Sequence, residues 1–568
     1  MNLKRLGAFL MAGFLAACGG GGPKDWGAEY GNLPPTGAPV ALSDGFYSPD
    51  GGIPMPVPTP MPVDAQPVAF IPAVNVNPAR DELPPGSKTV AALLPLSGQN
   101  SELGNSLQHS IEIAFFQRQP RNIFINFIDI GGGADKRNAA IANALSMQPD
   151  MIIGPIFSDD AKALRDAKLA ATPALTFSSD LGALGAGVLT MALLPAQSAE
   201  ATVYQMMRDG RQSVMIIAPD TASGYIMANS AIASANMYGL HIAGLEYYRE
   251  GDTESMKSAA EISSMWGARS MANTRAKEVL SDMLLKEQLS AADRSSISRQ
   301  LTAMTKVDAI GSVNFDSVLF LGGANDSKIV ASFLRYYDVT SDIAPFYGTV
   351  LWDNSAIFSD LTMIGSKFSS LPSANAEFEK LYAEVQGKKP DRLNSMAYDA
   401  AQITMGALLS NRTIAGYLLD PSGFAGLDGL IRFRPNGTNE RALQIMRLDG
   451  SGTPQLAVPA AKNFLVPIYS ANSNRSGRPA PFAPGGAGIN PADFIEWPNA
   501  DLRRRYPTKS YGAGTTPAAA AWNAQSGAAA NVILPEDDTE VIPASADYAP
   551  WAVQPVDKQL IDETTVAQ

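Results

Sequence analysis

One cysteine, Cys18, and two histidines, His109 and His241, are spread over 568 residues. A lone thiol excludes an intramolecular disulfide. Neither histidine has a cysteine or second histidine at ligand spacing, so no metal is expected. Positive charge is scarce as well. The 43 Lys and Arg stand against 55 Asp and Glu, for a net charge of -12. That balance repels phosphate backbones, and no basic stripe carries interleaved aromatics, so no nucleic-acid partner is expected. Arg503, Arg504 and Arg505 form a short basic run that reads as solvated surface. GxSxG, P-loop, HExxH and dinucleotide-binding glycine signatures are missing. Asp129 and Glu246 fall at strand ends as isolated acids and read as solvated carboxylates. Catalysis and a cofactor are therefore not expected.

The apolar stretch Leu6 to Leu15 is about ten residues long, too short to span a bilayer. Lys4 and Arg5 precede it, which makes it the h-region of a secretory signal. It ends in Leu15, Ala16, Ala17 and Cys18, a pattern that looks like a lipobox. Residues 1–18 are thus expected to be a lipoprotein signal, with Cys18 acylated as the membrane anchor. Several acyl chains on one residue hold a protein firmly at a surface without spanning it.

With 46% hydrophobic residues the chain can build a large core, but its 49 glycines and 41 prolines concentrate toward the ends. Residues 19–86, with PMPVPTPMPV at Pro54 to Val63, show no sustained period and read as a semi-stiff disordered tether. Residues 471–568 are again rich in Pro, Gly, Ala and Asn, and are expected to be a mostly disordered tail. Phe494, Ile495 and Trp497 are its one candidate docking element.

Between residues 87 and 470, short apolar runs alternate with amphipathic stretches, the pattern of βαβ units and parallel sheets. Strands are expected at Thr89 to Leu94, Ile123 to Ile128, Met151 to Ile153 and Ala174 to Phe177. A second set follows at Ser213 to Ala218, His241 to Tyr247, Val318 to Leu321 and Phe346 to Val350. Leu103, Leu107, Ile111 and Phe115 fall on one helical face. Ser158 reads as a helix N-cap, with Asp159 and Asp160 in the first turn. A body of this size exceeds one core, so two lobes with a cleft are expected. Ligands of open α/β sheets bind at the carboxyl ends of the strands, which directs attention to the loops there.

These stretches resemble the type I periplasmic binding proteins of the leucine-binding group. The matching segments are AALLPLSG at Ala91 to Gly98, MIIGPIFSDD at Met151 to Asp160, TPALTFSSD at Thr172 to Asp180, VLFLGG at Val318 to Gly323 and NSMAYDAAQI at Asn394 to Ile403. Within that superfamily the chain is most similar to the penicillin-binding-protein activator lipoproteins. The lipobox, the Pro-rich tether and a helical insertion at residues 248–316 carry that likeness. The insertion is about forty residues longer than a single crossover helix requires. DGLIRFRPNGTNERALQIMRL, Asp428 to Leu448, looks like a closing hairpin with Asn436 and Gly437 as its turn.

The resemblance implies ligand contacts at Ser97, Ser158 and Ser178 or Ser179 in the first lobe. In the second lobe it implies Ser223 or Tyr225 where an aromatic usually stacks, with Trp352 and Asp353 lining the cleft or, for Trp352, packing in the core. Asp180 stands about where a threonine is usual, and its charge would repel a ligand carboxylate. Two functions follow. One is a non-enzymatic lipoprotein that binds and regulates a peptidoglycan synthase. The other is a substrate-binding lipoprotein that delivers an amino acid or similar small polar ligand to an ABC permease. Gly19 is not the aspartate that retains a lipoprotein at the inner membrane, so the resemblance favours the outer membrane.

Overall fold

The computed structural model describes residues 83–167, 172–372, 375–464, 476–485 and 488–512. Cys18, the tether up to residue 82 and the tail from residue 513 lie outside them.

The first lobe is built on five parallel strands: β1 (Lys88–Leu94), β2 (Ile123–Asp129), β3 (Met151–Ile153), β4 (Ala174–Thr176) and β5 (Val188–Thr190), in the order β2-β1-β3-β4-β5. Helices α1 (Ser101–Arg118), α2 (Ala134–Ser146) and α3 (Ser158–Asp166) connect them. β1 is buried throughout except at Lys88, because helices cover both faces of the sheet.

The chain crosses at residues 191–194 into α4 (Pro195–Arg208) and the second lobe. There β6 (Ser213–Pro219), α5 (Ala222–Tyr238), β7 (His241–Tyr248), α6 (Thr253–Ser263), α7 (Trp266–Lys286), α8 (Ala291–Thr305), β8 (Val318–Phe320), α9 (Ala324–Tyr336), β9 (Phe346–Gly348) and β10 (Lys367–Ser370) follow. It returns to the first lobe for α10 (Ala376–Gln386) and α11 (Arg392–Leu409). The short antiparallel sheet β11 (Phe424–Gly426), β12 (Gly429–Phe433) and β13 (Asn439–Arg441) comes next, and a third crossing delivers β14 (Gln444–Arg447) and β15 (Gln455–Val458). The second sheet runs β15-β14-β10-β9-β8-β6-β7, with β7 at one edge.

The Asp428 to Leu448 hairpin forms as β12 and β13, with Phe433 opposite Asn439. Its tip has a second role. The Gly437 carbonyl accepts from Thr190 N–H at 2.9 Å, and a Cβ there would come within 2.4 Å of the Val188 carbonyl, at a φ of +87°. Only glycine fits that approach. The last part of the expected hairpin leaves it, since β14 pairs instead with β10 in the second lobe.

The three crossings are fastened to one another by side chains, most of them buried. Asn439 Nδ2 donates to the carbonyls of Thr190 and Ala192, at 2.7 and 2.8 Å, and Arg441 donates to Met191 O. Arg392 Nη1 donates to Asp428 Oδ1 at 3.0 Å, and Gln444 Nε2 to Leu371 O at 3.2 Å. Asp399 accepts the Leu427 N–H, and burial first, then the neighbouring Asp428 charge, pushes its pKa up to about 8.

Two boundaries differ from expectation. In the 248–316 insertion, α6 packs on β7 and α9 as an ordinary crossover helix, so the added structure is the α7–α8 hairpin. Within the expected tail, residues 488–512 fold onto that hairpin through a 3-10 turn (Pro491–Phe494) and α12 (Ala500–Arg505). Ile495 and Leu502 bury against Ala276, Val279, Leu280, Met283, Ile297 and Met304. Apolar surface on the hairpin supplies the partner that the tail's own composition does not reveal.

Candidate functional site

The loops after β1, β3 and β4 carry the first-lobe residues expected to contact a ligand. Asp129, at the end of β2, is a clasp rather than a free carboxylate. Its Oδ1 accepts N–H groups of Leu96, Ser97 and Gly131, at 2.8, 3.1 and 2.8 Å. Burial opposes its charge, but the Ser97 hydroxyl and these amides outweigh it and hold the pKa below the ordinary value. Ser97 is thereby half-buried and fixed in the β1–α1 turn.

Ser158 does not cap α3. Phe157 holds the N-cap position without a side-chain bond, and Ser158 is the first helical residue. Its hydroxyl donates to Asp180 Oδ2. The same oxygen lies 2.6 Å from Lys162 Nζ, and Asp180 Oδ1 accepts the Gly182 N–H at 2.8 Å. Lys162, then Ser158, hold the Asp180 pKa down from 3.8 to about 2. Hydroxyl, ammonium and amide thus converge on a carboxylate that belongs to the protein. Ser178 is buried and its Oγ accepts the Asp180 N–H at 3.2 Å, whereas Ser179 is exposed. Ser158 and Ser178 therefore meet at Asp180, with Ser179 beside them.

In the second lobe Ser223 is exposed in the first turn of α5, which Thr221 caps. Tyr225 donates its hydroxyl to Asp220 Oδ1 at 2.7 Å and meets the Tyr247 ring edge-on at 5.7 Å. Arg478, from the segment expected to be tail, donates to that same Asp220 oxygen at 2.8 Å and lies 4.5 Å from the Tyr247 ring centre. Tyr225 is therefore committed to a protein network. Trp352 is wholly buried, packs against Phe320 and Phe368, and donates Nε1–H to Ser327 Oγ at 2.9 Å. It is a core residue, and of the pair only Asp353 is exposed. Asp353 accepts from Ser370 Oγ at 2.9 Å and pairs with Arg392 at 3.4 Å, joining the second lobe to the start of α11.

Glu246 also departs from the solvated reading: it is buried in β7, and burial raises its pKa to about 8. Sequence reasoning missed Lys162, Arg392 and Arg478, whose partners are distant along the chain. Among the described residues, no group of three or more His, Cys, Asp or Glu is placed to hold a metal, and no helix is long and apolar enough to cross a membrane.

A periplasmic binding protein family model matches residues 88–264. No curated protein matches the chain. Similar solved structures include a putative branched-chain amino acid ABC transporter from Rhodospirillum rubrum, 16% identical, covering 65% of this chain and 99% of that one at a TM-score of 0.49. A leucine binding protein from Thermotoga maritima is 17% identical, with 65% and 98% covered and a TM-score of 0.40. The C-domain of LpoA from Haemophilus influenzae, a regulator of PBP1A, is 17% identical, with 65% and 100% covered and a TM-score of 0.44. The chain has the two-lobed, type I periplasmic-binding-protein-like fold with parallel sheets, and its residues 88–264 match the periplasmic binding protein family.

Proposed function

We propose that this chain is a periplasmic, lipid-anchored protein that binds and regulates a peptidoglycan synthase and does no chemistry of its own. The observation that carries the reading is Asp180, held by Ser158, Lys162 and the Gly182 amide. Those groups are suited to a ligand carboxylate, and an internal carboxylate already satisfies them. An amino acid entering the groove would meet a charge of its own sign, with the favourable donors taken. Tyr225, engaged by Asp220 and Tyr247, is likewise not free to close over a ligand.

The α7–α8 hairpin with residues 488–512 adds a helical module to the second lobe, surface that a small-ligand receptor does not need. A protein partner makes use of it. Anchored through Cys18 and spaced by residues 19–86, the body reaches a membrane-bound synthase at high effective concentration, so modest affinity suffices. The outer membrane is the proposed site of the anchor, from Gly19 after the cysteine.

The importer reading keeps one observation in its favour, the two-lobed fold built on parallel sheets. The two readings separate in a paired experiment on the full chain in detergent. Amino acids and muropeptide fragments are screened by thermal shift, and synthases are captured from solubilised envelopes. Capture of a synthase without an amino-acid shift is expected. A large shift with an amino acid would defeat the regulator reading, since a saturating ligand stabilises by a few kcal/mol.

A further inference from the structure

The open edge of the second-lobe sheet is covered by chain from far along the sequence. Residues 476–485 lie along β7, and Leu245 and Phe482 form an antiparallel bridge, exchanging both backbone hydrogen bonds at 2.9 Å. Gly485 N–H adds a bond to Ala243 O at 3.2 Å. Pro479, Pro481 and Pro484 have no N–H to give, so the segment closes the edge with few ladder bonds. Side chains supply much of the remaining hold. Arg478 pairs with Asp220 at 2.8 Å and lies over the Tyr247 ring, and Asn229 Nδ2 donates to Gly477 O at 2.7 Å.

Next to the bridged Leu245 on β7 is an acid. Glu246 is 3% exposed, and its Oε2 has no hydrogen-bond partner among the described residues. The antiparallel register sets Pro481, itself buried, opposite it. A charged carboxylate in such a place, with one oxygen lacking a donor, is costly, so the group keeps its proton.

We propose that residues 476–485 are a pH-sensitive latch on the open edge of the second-lobe sheet, with the Glu246 carboxyl as its sensing group. Burial raises the Glu246 pKa from 4.5 to about 8, and the Arg478 guanidinium draws it part of the way back. The other groups at this edge do not take over the role. Asp220, tied to Arg478 and Tyr225 with Arg249 nearby, is held below its ordinary value against burial. Burial keeps the Tyr247 hydroxyl protonated, and Tyr248, whose neighbouring charges are Asp326 and Glu250, likewise.

Lifted, Glu246 meets water and ionises as an ordinary glutamate; latched, it is neutral. Closing the latch therefore takes up a proton between the two pKa values. Closure is strongest below the ordinary value and weakens as pH rises through the window, by up to about tenfold per pH unit. Above the raised value both forms are ionised and the weakening stops. An unlatched β7 presents free backbone groups to which an extended segment can pair.

The test is hydrogen exchange on the full chain at pH 5, 6 and 7, with intrinsic exchange rates divided out. Protection of the Leu245 amide and its β7 neighbours is expected to fall several-fold to tenfold per unit. In Glu246→Gln it is expected to be high and level. Arg478→Ala should lower protection at all three pH values and keep the direction of the slope. Level protection in the parent, the parent's slope retained in Glu246→Gln, or unchanged protection in Arg478→Ala would each overturn the latch.

Discussion

Replacing Asp180 with threonine should open an anion cradle that the protein keeps filled. The Asp180 pKa moves from 3.8 to about 2. A displacement of just under two pKa units amounts to about 2.5 kcal/mol at face value. The carboxylate is 34% exposed and Lys162 is 41% exposed, and solvent screening reduces the contribution to about 1 kcal/mol. The native pKa is the depressed one, so this stability is present above the unfolded value near 4 and is lost as pH falls toward 2. At pH 7, Asp180→Thr should lower Tm by roughly 1 °C in a body of this size, with the difference from the parent narrowing below pH 4. The same variant leaves Ser158, Lys162 and the Gly182 amide without the carboxylate they hold. Titrating amino acids in differential scanning fluorimetry should stabilise Asp180→Thr and leave the parent unmoved; at ten times Kd the gain is about 1.4 kcal/mol. Equal stabilisation of parent and variant would refute the reasoning, as would a stability difference that does not change with pH.

Leu502→Ala should cost about 2 kcal/mol, at the low end for a buried leucine because α12 is a short segment with room to relax. Exchange and proteolysis should rise in residues 488–512, α7 and α8 and stay unchanged in the first lobe. Trp352→Ala should cost about 3–5 kcal/mol, read from urea unfolding, because its whole ring fills the second-lobe core. Arg441→Met removes a wholly buried cation acting on Asp428 and Asp399, and should destabilise by about 3 kcal/mol or more, read as a lower urea midpoint.

Much of the fold is legible in the sequence because most strands are continuous apolar runs bounded by turn residues. β1, β2, β3, β6, β7 and β8 lie within about two residues of their expected bounds, as buried parallel strands should. β10 is a different case: Lys367–Ser370 holds one apolar residue, and only its neighbours β9 and β14 make it a strand. Residues 476–512 were hidden for a related reason. Ile489, Ile495, Leu502 and Tyr511 are buried but too widely spaced to show a period. At the site, the odd charge of Asp180 can be read directly, but its neutralisation by Lys162 depends on how two strand-end loops meet. Ser158 is a favourable N-cap residue by type, yet α3 begins with it inside the helix, which frees its hydroxyl for Asp180.

The proposed activity is a regulatory grip on a cell-wall polymerase. The most direct test reconstitutes a bifunctional penicillin-binding protein in detergent and follows its glycan polymerisation and cross-linking as the full chain is added. Synthase output is expected to change saturably with added chain, with no effect of amino acids on the change. Synthase rates that stay flat at every concentration of the chain would contradict it.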